Sequence, residues 1–164
     1  MSKLESAKQT LDYALNHAMK TFDQAISLIP EDKLDWKPSE DAKSAGELGS
    51  HVYMGTLAHM AGTLKGEFSD NDYSLIPFDA EKVKSTSEII EYGEKVKSYI
   101  KDNFPKLTEA DMDKKVTYHC WGGFEYGGYE SLASILEETI HHRGQLCTYL
   151  RTLGIKPPFI YDLE

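Results

Sequence analysis

The feature that most restricts the fold of this chain is an apolar period of three to four residues that returns in four separate segments. Such a period places the apolar side chains on one face of an α-helix. The first segment carries them at Leu4, Ala7, Leu11, Leu15, Ala18, Phe22, Ile26 and Ile29. Because proline cannot continue a helix, Pro30 is predicted to end this one.

Three further helices are predicted from the same period, over about residues 44–65, 85–104 and 129–153. The start of the second is marked by Ser44 and Glu47, which have the spacing of a capping box. The inward stripe of this helix consists of Leu48, His51, Gly55, Ala58 and Gly62. Because most of these side chains are small, either a neighbouring backbone comes close or a hollow remains beside the helix.

The connections between these segments are long and rich in turn residues. Residues 30–43 contain two prolines and many charges, which predicts an irregular crossover, and residues 66–84 are predicted to form a loop. Within residues 114–130, Val116, Tyr118 and Cys120 alternate with the single residue that follows each of them, up to Gly122-Gly123, which predicts a small hairpin before the last helix. Together these features predict the all-α class, as a four-helix bundle that forms a single domain over residues 1–164.

Composition excludes several classes of protein. The net charge of −9 argues against nucleic acid as a partner, because phosphate binding needs a concentrated basic surface. No apolar run approaches the roughly 18–20 residues that span a bilayer, and the N-terminus lacks the apolar core of a signal peptide. No membrane association and a cytoplasmic location are therefore expected. Two cysteines, Cys120 and Cys147, do not make a disulfide framework.

Glu138 and His142 lie four residues apart in the fourth predicted helix, at the edge of its apolar face. Positions i and i+4 differ by about 40° of rotation, so the two side chains point the same way. If the second and fourth helices adjoin, His51 joins them, and two imidazoles and one carboxylate converge as ligands for a divalent metal. Three protein ligands with a further open position are typical of catalytic zinc sites. The alternative is a buried polar cluster in which Glu138 pairs with His142 or Arg143.

The other histidines are weaker candidates. His141 is rotated by about 100° from its neighbour and is predicted to lie on the surface. His17 is predicted on the outer side of the first helix, and His119 in the hairpin. His59 lies two turns after the predicted ligand of the second helix, where it could donate a hydrogen bond to a ligand, transfer a proton, or simply fill the core. Cys147 is predicted to be a buried structural thiol rather than a nucleophile.

Two motifs resemble the DinB/YfiT-like superfamily of metalloenzymes: "SAGELGSHVYM" and, much later, "ETIHHRGQLCTYLRTLGIKPPFIYD". The resemblance covers essentially the whole chain. It implies an up-down-down-up helix order, a metal on the bundle axis and often a homodimer. His51 matches the first ligand of the superfamily and His142 the last, but Glu138 stands where the commonest pattern has a histidine. The set is similar to the His/Glu/His arrangement of mycothiol-dependent maleylpyruvate isomerases, a zinc branch of the superfamily.

The resemblance also implies a chemistry. Characterised members are transferases and isomerases that use low-molecular-weight thiols, so the expected substrates are such a thiol and a small-molecule electrophile. On this hypothesis the thiol is activated at a divalent metal, with zinc favoured and nickel second. Gln145 and Tyr149 would shape the mouth of the pocket, and Arg143 or Arg151 would meet an anionic group. A carboxylate in place of a neutral imidazole makes the metal a weaker Lewis acid.

Two other functions remain open at this point. The first is metal-dependent hydrolysis, for which Glu137 or Glu67 would have to serve as the general base. The second is a non-catalytic, stress-associated bundle that acts through dimerisation or a partner. Because structural zinc sites normally have four protein ligands and only three candidates are found, an open catalytic site is favoured over a structural one.

Overall fold

The structure is a computed structural model that describes residues 1–161, and its frame is four long helical segments. The first consists of α1 (Lys3–Tyr13), a π-helical turn (Ala14–Ala18) and α2 (Met19–Ser27). The others are α3 (Ala45–Lys65), α4 (Thr86–Asn103) and α6 (Gly128–Thr152), with a short α5 (Glu109–Asp113) before the last. None of the helices in this part of the chain is both long and apolar enough to cross a membrane.

The helices are arranged in the predicted up-down-down-up order of a four-helix bundle. α6 is antiparallel to α3, and the His51 ring on α3 lies 4.9 Å from the His142 ring on α6. The first helical segment runs alongside α6 in the same direction, and there the Arg143 guanidinium donates to the Thr21 hydroxyl at 2.8 Å. α3 thus has α6 on one side and α4 on the other, so its side chains can meet those of α6 in the interior.

The junction of α2, α3 and α4 is held by close packing and by a buried polar group. A Cβ at Gly93 would lie 2.5 Å from the Tyr53 ring, so the two helices approach this closely only because the position is glycine. The Tyr53 hydroxyl donates to Asp23, and the Lys97 ammonium donates to the same carboxylate at 2.6 Å. Burial raises the pKa of Asp23 although Lys97 and Tyr53 both oppose the shift. The Asp23–Lys97 ion pair therefore links α2 to α4 at a cost in desolvation.

The first helical segment differs from the regular helix predicted for it. Its middle turn, Ala14–Ala18, has π-helical hydrogen bonding, in which each bond spans one more residue than in an α-helix. The extra residue changes the angular position of the side chains in the turn. The prediction that His17 lies on the outer side was therefore wrong: the residue is 8% exposed, packs on Tyr13, and leaves its Nδ1 without a hydrogen-bond partner.

A three-stranded sheet lies against one end of the bundle. It contains β1 (Glu67–Phe68), β2 (Lys115–Tyr118) and β3 (Phe124–Gly127), with β1 parallel to β2 and β2 antiparallel to β3. The predicted hairpin is confirmed, and Gly122 and Gly123 both adopt positive φ in its turn. Its first strand ends earlier than the alternation indicated, because residues 119–121 form a 3-10 turn. β1 lies in a segment predicted to be loop, and α5 was not predicted.

Candidate metal centre

α3 begins where the sequence indicated, and its start determines where His51 points. The Ser44 hydroxyl accepts from the backbone N–H of Glu47 at 3.1 Å, and the Glu47 carboxylate accepts from the Ser44 N–H at 2.6 Å. This capping box satisfies two donors that a helix start would otherwise leave free. His51 follows about two turns later and is directed towards α6, where its ring meets that of His142 edge to face.

Three residues come together at the contact of α3 and α6: His51, Glu138 and His142, which we call the ligand group. The nearest Glu138 carboxylate oxygen lies 3.0 Å from His142 Nε2 and 3.6 Å from His51 Nε2. One ligand atom from each of the three residues lies within 4.8 Å of the other two, and no other group of this kind is found in residues 1–161. The predicted convergence therefore holds in the folded chain.

Gln145 orients the buried member of this group. Its Oε1 lies 2.7 Å from His142 Nδ1, while its Nε2 lies 3.1 Å from His141 Nε2. The amide oxygen can only accept, so it receives the Nδ1–H of His142, and Nε2 of the same ring faces Glu138 and His51. Ligating histidines in metalloproteins are held in this way, with the second ring N–H donated to a fixed acceptor.

The electrostatics of the group favour an anionic carboxylate. Hydrogen bonding to His142, and then to His51, holds the pKa of Glu138 well below its usual range and outweighs its partial burial. Glu138 is therefore ionised at any pH at which a metal site would operate. The two imidazoles and the carboxylate form a donor set that suits divalent transition metals, and three ligands leave further coordination positions open. By donor chemistry and spacing, these residues could hold such an ion.

A pocket of about 390 Å³ opens beside the group. His51 and Glu138 form one side of it, and the remaining lining residues are Gly55, His59, Trp121, Tyr126, Ser134 and Glu137. α3 and α6 thus supply the walls, and the hairpin supplies the aromatic side chains.

His59 is buried at the wall of this pocket and held by hydroxyl groups. Its Nδ1 lies 3.3 Å from both the Tyr118 hydroxyl and the Ser131 hydroxyl. Burial lowers the pKa of His59 to about 4, so the imidazole is neutral near pH 7. This position fits a group that hydrogen-bonds to a ligand or transfers a proton, and it equally fits a core histidine whose hydrogen bonds are all made within the protein. His59 is not part of the ligand group.

Other residues singled out in the sequence lie elsewhere. The Tyr149 hydroxyl donates to the Lys43 carbonyl at 3.0 Å. Arg143 is buried against α2 and lies outside the pocket, so the structure does not bring it to the site. His141 is exposed, as predicted. Burial raises the pKa of the Cys147 thiol, which fits the structural role predicted for it.

Trp121, Tyr126 and Ser134 line the pocket although the sequence had not pointed to them. Aromatic residues of this kind are more often found in the core or at its rim than in a substrate pocket. The rings of Trp121 and Tyr126 reach the site because the hairpin packs on α3, where both rings meet His59. This packing joins segments that are distant in sequence, so no local pattern indicates it. The hairpin signal before α6 was the one feature that could have pointed to these rings.

Known proteins resemble this chain in sequence and in fold. The protein YjoA of Bacillus subtilis is 26% identical to this chain over 150 residues, which are 90% of this chain and 91% of YjoA. The crystal structure of this DinB-like protein superposes with a TM-score of 0.70 at 22% identity, covering 93% of this chain and 97% of that one. A DinB-like protein from Bacillus cereus gives 0.69 at 18% identity, covering 96% and 97%. The DinB family model matches residues 1–164, and the chain therefore belongs to the DinB family.

Proposed function

We propose that the chain is a metal-dependent enzyme that binds one divalent ion through His51, Glu138 and His142. The ion is zinc or, as second choice, nickel. In this proposal the enzyme transfers a low-molecular-weight thiol to a small electrophile. The observation that carries the proposal is the convergence of three donor groups, two of which line a pocket large enough for a small molecule.

The residues divide the work between holding the ion and receiving the substrates. A divalent metal bound here would supply Lewis acidity, which stabilises the thiolate form of a thiol near neutral pH. Gln145 keeps His142 in the tautomer that a ligand needs, and Glu138 contributes a negative charge between the two imidazoles. The electrophile enters the adjoining pocket, where neutral His59 forms part of the wall and could hydrogen-bond to it.

The number of ligands supports a catalytic rather than a structural role. Structural zinc sites are closed by four protein ligands, whereas catalytic sites use three and keep a position for water or substrate. Here the three donors lie beside a pocket, and the side chains of His51 and Glu138 are 38% and 41% exposed. A small ligand could therefore reach the group from solvent.

Metal content tests the proposal directly. We expect tag-free protein to hold about one equivalent of metal by mass spectrometry, and Glu138→Ala and His142→Ala to lose it. Thr148→Ala is the control, because this residue is exposed on the same helix and its hydroxyl donates to the Gly144 carbonyl, outside the ligand group. A wild-type protein that takes up no metal after incubation with zinc or nickel would rule the proposal out. Equal loss in the control would assign the effect to the helix rather than to the ligands.

Hydrolysis is a second candidate, favoured by one observation. Glu137 lines the same pocket, next to Glu138 in sequence, and could act as the general base for an attacking water. The two functions separate when metal-loaded protein is incubated with an electrophilic ester, with and without a small thiol. Product formation that requires the thiol, and consumes it, supports transfer. Product formation without thiol that is lost in Glu137→Gln supports hydrolysis.

A further inference from the structure

The pocket beside the candidate metal centre has one wall made of aromatic rings. Trp121 stacks on Tyr118 with ring centroids 4.6 Å apart and planes at 14°, and it meets the ring of His59 at 5.1 Å. Tyr126 meets Tyr118 edge to face at 5.8 Å. Each ring is supported by another, so the wall is in place before a ligand binds. Trp121 and Tyr126 are only partly buried and contribute to the pocket lining.

Gly55 leaves open the space that faces this wall. It lies on α3 between His51 and His59, and a Cβ built there would have no heavy atom within 4 Å. A larger side chain at this position would extend into the pocket, which measures about 390 Å³. Pockets of this volume are typical of small-molecule sites.

The charge of the lining is negative. Glu137 and Glu138 contribute carboxylates, and among the described residues that line the pocket there is no lysine or arginine. The charge of Glu138 would be offset by a bound metal, but that of Glu137 would remain. In metal-free protein, a negatively charged group in the pocket would therefore meet repulsion from both carboxylates, with no lysine or arginine side chain in the lining to offset it.

We propose that this pocket binds a planar aromatic group of the substrate, uncharged or cationic, against Trp121. The assignment of that group to the electrophile rests on the proposed function. The preference for an aromatic ring without negative charge comes from the lining residues alone, and it applies to metal-free protein. Aromatic contact with Trp121 favours a ring, and a cation on that ring gains further from the indole face and from Glu137.

Binding of three small probes tests this inference. Benzyl alcohol, benzylamine and benzoate have similar rings and differ in charge. The protein carries Trp36→Phe, so that Trp121 is the single tryptophan left of the two in the chain, and its fluorescence reports the pocket. The protein is kept metal-free, because benzoate could otherwise bind a metal directly. We expect saturable binding of the alcohol and the amine, with benzoate about tenfold weaker.

Paired variants locate the binding site. Gly55→Leu should weaken benzylamine binding at least about tenfold, because its side chain fills the pocket. Gly144→Leu is the matched control, since it is also a helical glycine with open space around its Cβ but lies outside the pocket. Glu137→Gln should reduce the difference between benzylamine and benzoate. Because the buffer contains no metal, these effects do not depend on whether the ligand group binds a metal.

Several results would overturn the inference. It fails if no probe binds, if benzoate binds as well as the amine, or if the two leucine variants behave alike. Metal content, measured on the same preparations after loading, reports separately on the proposed function. A protein that binds one equivalent of metal but no aromatic probe would keep the metal site and lose the aromatic pocket. The reverse result would keep the pocket and lose the metal-dependent reaction.

Discussion

At the scale of single residues, Gln145 has the clearest predicted effect on the ligand group without belonging to it. Its amide oxygen holds His142 Nδ1 at 2.7 Å and so fixes the tautomer that presents Nε2. Supporting hydrogen bonds of this kind are worth about 10–100-fold in metal affinity. We expect Gln145→Ala to weaken zinc binding by that factor, measured by competition with a chelator.

The control for this variant is Thr148→Ala. Thr148 is exposed on the same helix, and its hydroxyl donates to the Gly144 carbonyl rather than to a ligand. Its zinc affinity should equal that of the wild type. If both variants bind zinc as the wild type does, Gln145 does not position His142, and the hydrogen bond has no role in the site.

His59 predicts a pH dependence of stability whose sign follows from burial. Its pKa falls from 6.5 in the unfolded chain to about 4 in the fold, because burial disfavours the charged imidazolium. The unfolded state thus binds the proton more tightly. The free energy of unfolding is therefore unaffected by His59 protonation above pH 6.5, and it decreases as the pH falls from 6.5 towards 4. The difference between the two pKa values corresponds to about 3 kcal/mol.

The measurement is urea unfolding of wild type and His59→Asn between pH 4 and 7, on metal-free protein. Asparagine does not titrate, so the variant should be less stable at pH 7 but should lose less stability on acidification. All other titrating groups are common to both proteins, and the difference between the curves isolates His59. Parallel curves would show that its pKa is not lowered in the fold.

The convergence of the candidate ligand residues could be predicted from the sequence, whereas their surroundings could not. Glu138 and His142 are four residues apart on one helix, so local geometry alone aligns them. His51 needed only the further assumption that α3 and α6 adjoin. Trp121 and Tyr126 reach the pocket through the packing of the hairpin on α3, which no local pattern encodes. For Arg143 the expectation of a place at the site was wrong. Arg143 directly follows His142, and one helical position turns its side chain by about 100°, towards Thr21 of α2.

At the scale of helices, the contact of α3 and α4 depends on Gly93. A Cβ there would lie 2.5 to 2.9 Å from three carbons of the Tyr53 ring, which is buried and bonded to Asp23 and cannot move aside. Overpacking of this kind typically costs about 1–3 kcal/mol. We therefore expect Gly93→Ala to lower the free energy of unfolding by that amount, measured in urea.

Gly144→Ala provides the matched comparison. It is also a glycine inside a helix, but a Cβ there meets no heavy atom within 4 Å. Alanine in a helix interior is favoured over glycine by roughly 0.5–1 kcal/mol, so this variant should be more stable than the wild type. If both substitutions stabilise the protein, the close approach of α3 and α4 at Tyr53 is not tight.

The bounds of the helices followed from local signals where such signals exist. α3 and α4 begin at serine caps that bond to the glutamate three residues on, and both starts were predicted. The π turn at Ala14–Ala18 has no such signal, because the apolar period continues through it with the spacing of an α-helix. β1 was missed for a related reason: two residues are too few for an alternating pattern, and pairing with β2 alone makes them a strand.

At the scale of the whole molecule, bundle topology brings distant segments to one site. His51 and His142 are far apart in sequence, and the antiparallel arrangement of α3 and α6 joins them. A metal held by these ligands would cross-link the two helices. Because the unfolded chain lacks the preformed site, binding energy would add to the free energy of folding.

This linkage predicts that metal raises the melting temperature of the whole chain. A ligand at 100 times its dissociation constant stabilises the folded state by about 2.7 kcal/mol, which for a chain of this length corresponds to roughly 5–10 °C. We expect a shift of that size when zinc is added to metal-free wild-type protein, followed by differential scanning fluorimetry. Glu138→Ala and His142→Ala should show no shift, while Thr148→Ala should match the wild type. A shift of equal size in all four proteins would mean that zinc binds elsewhere, and the ligand group would then not be the site that couples metal to folding.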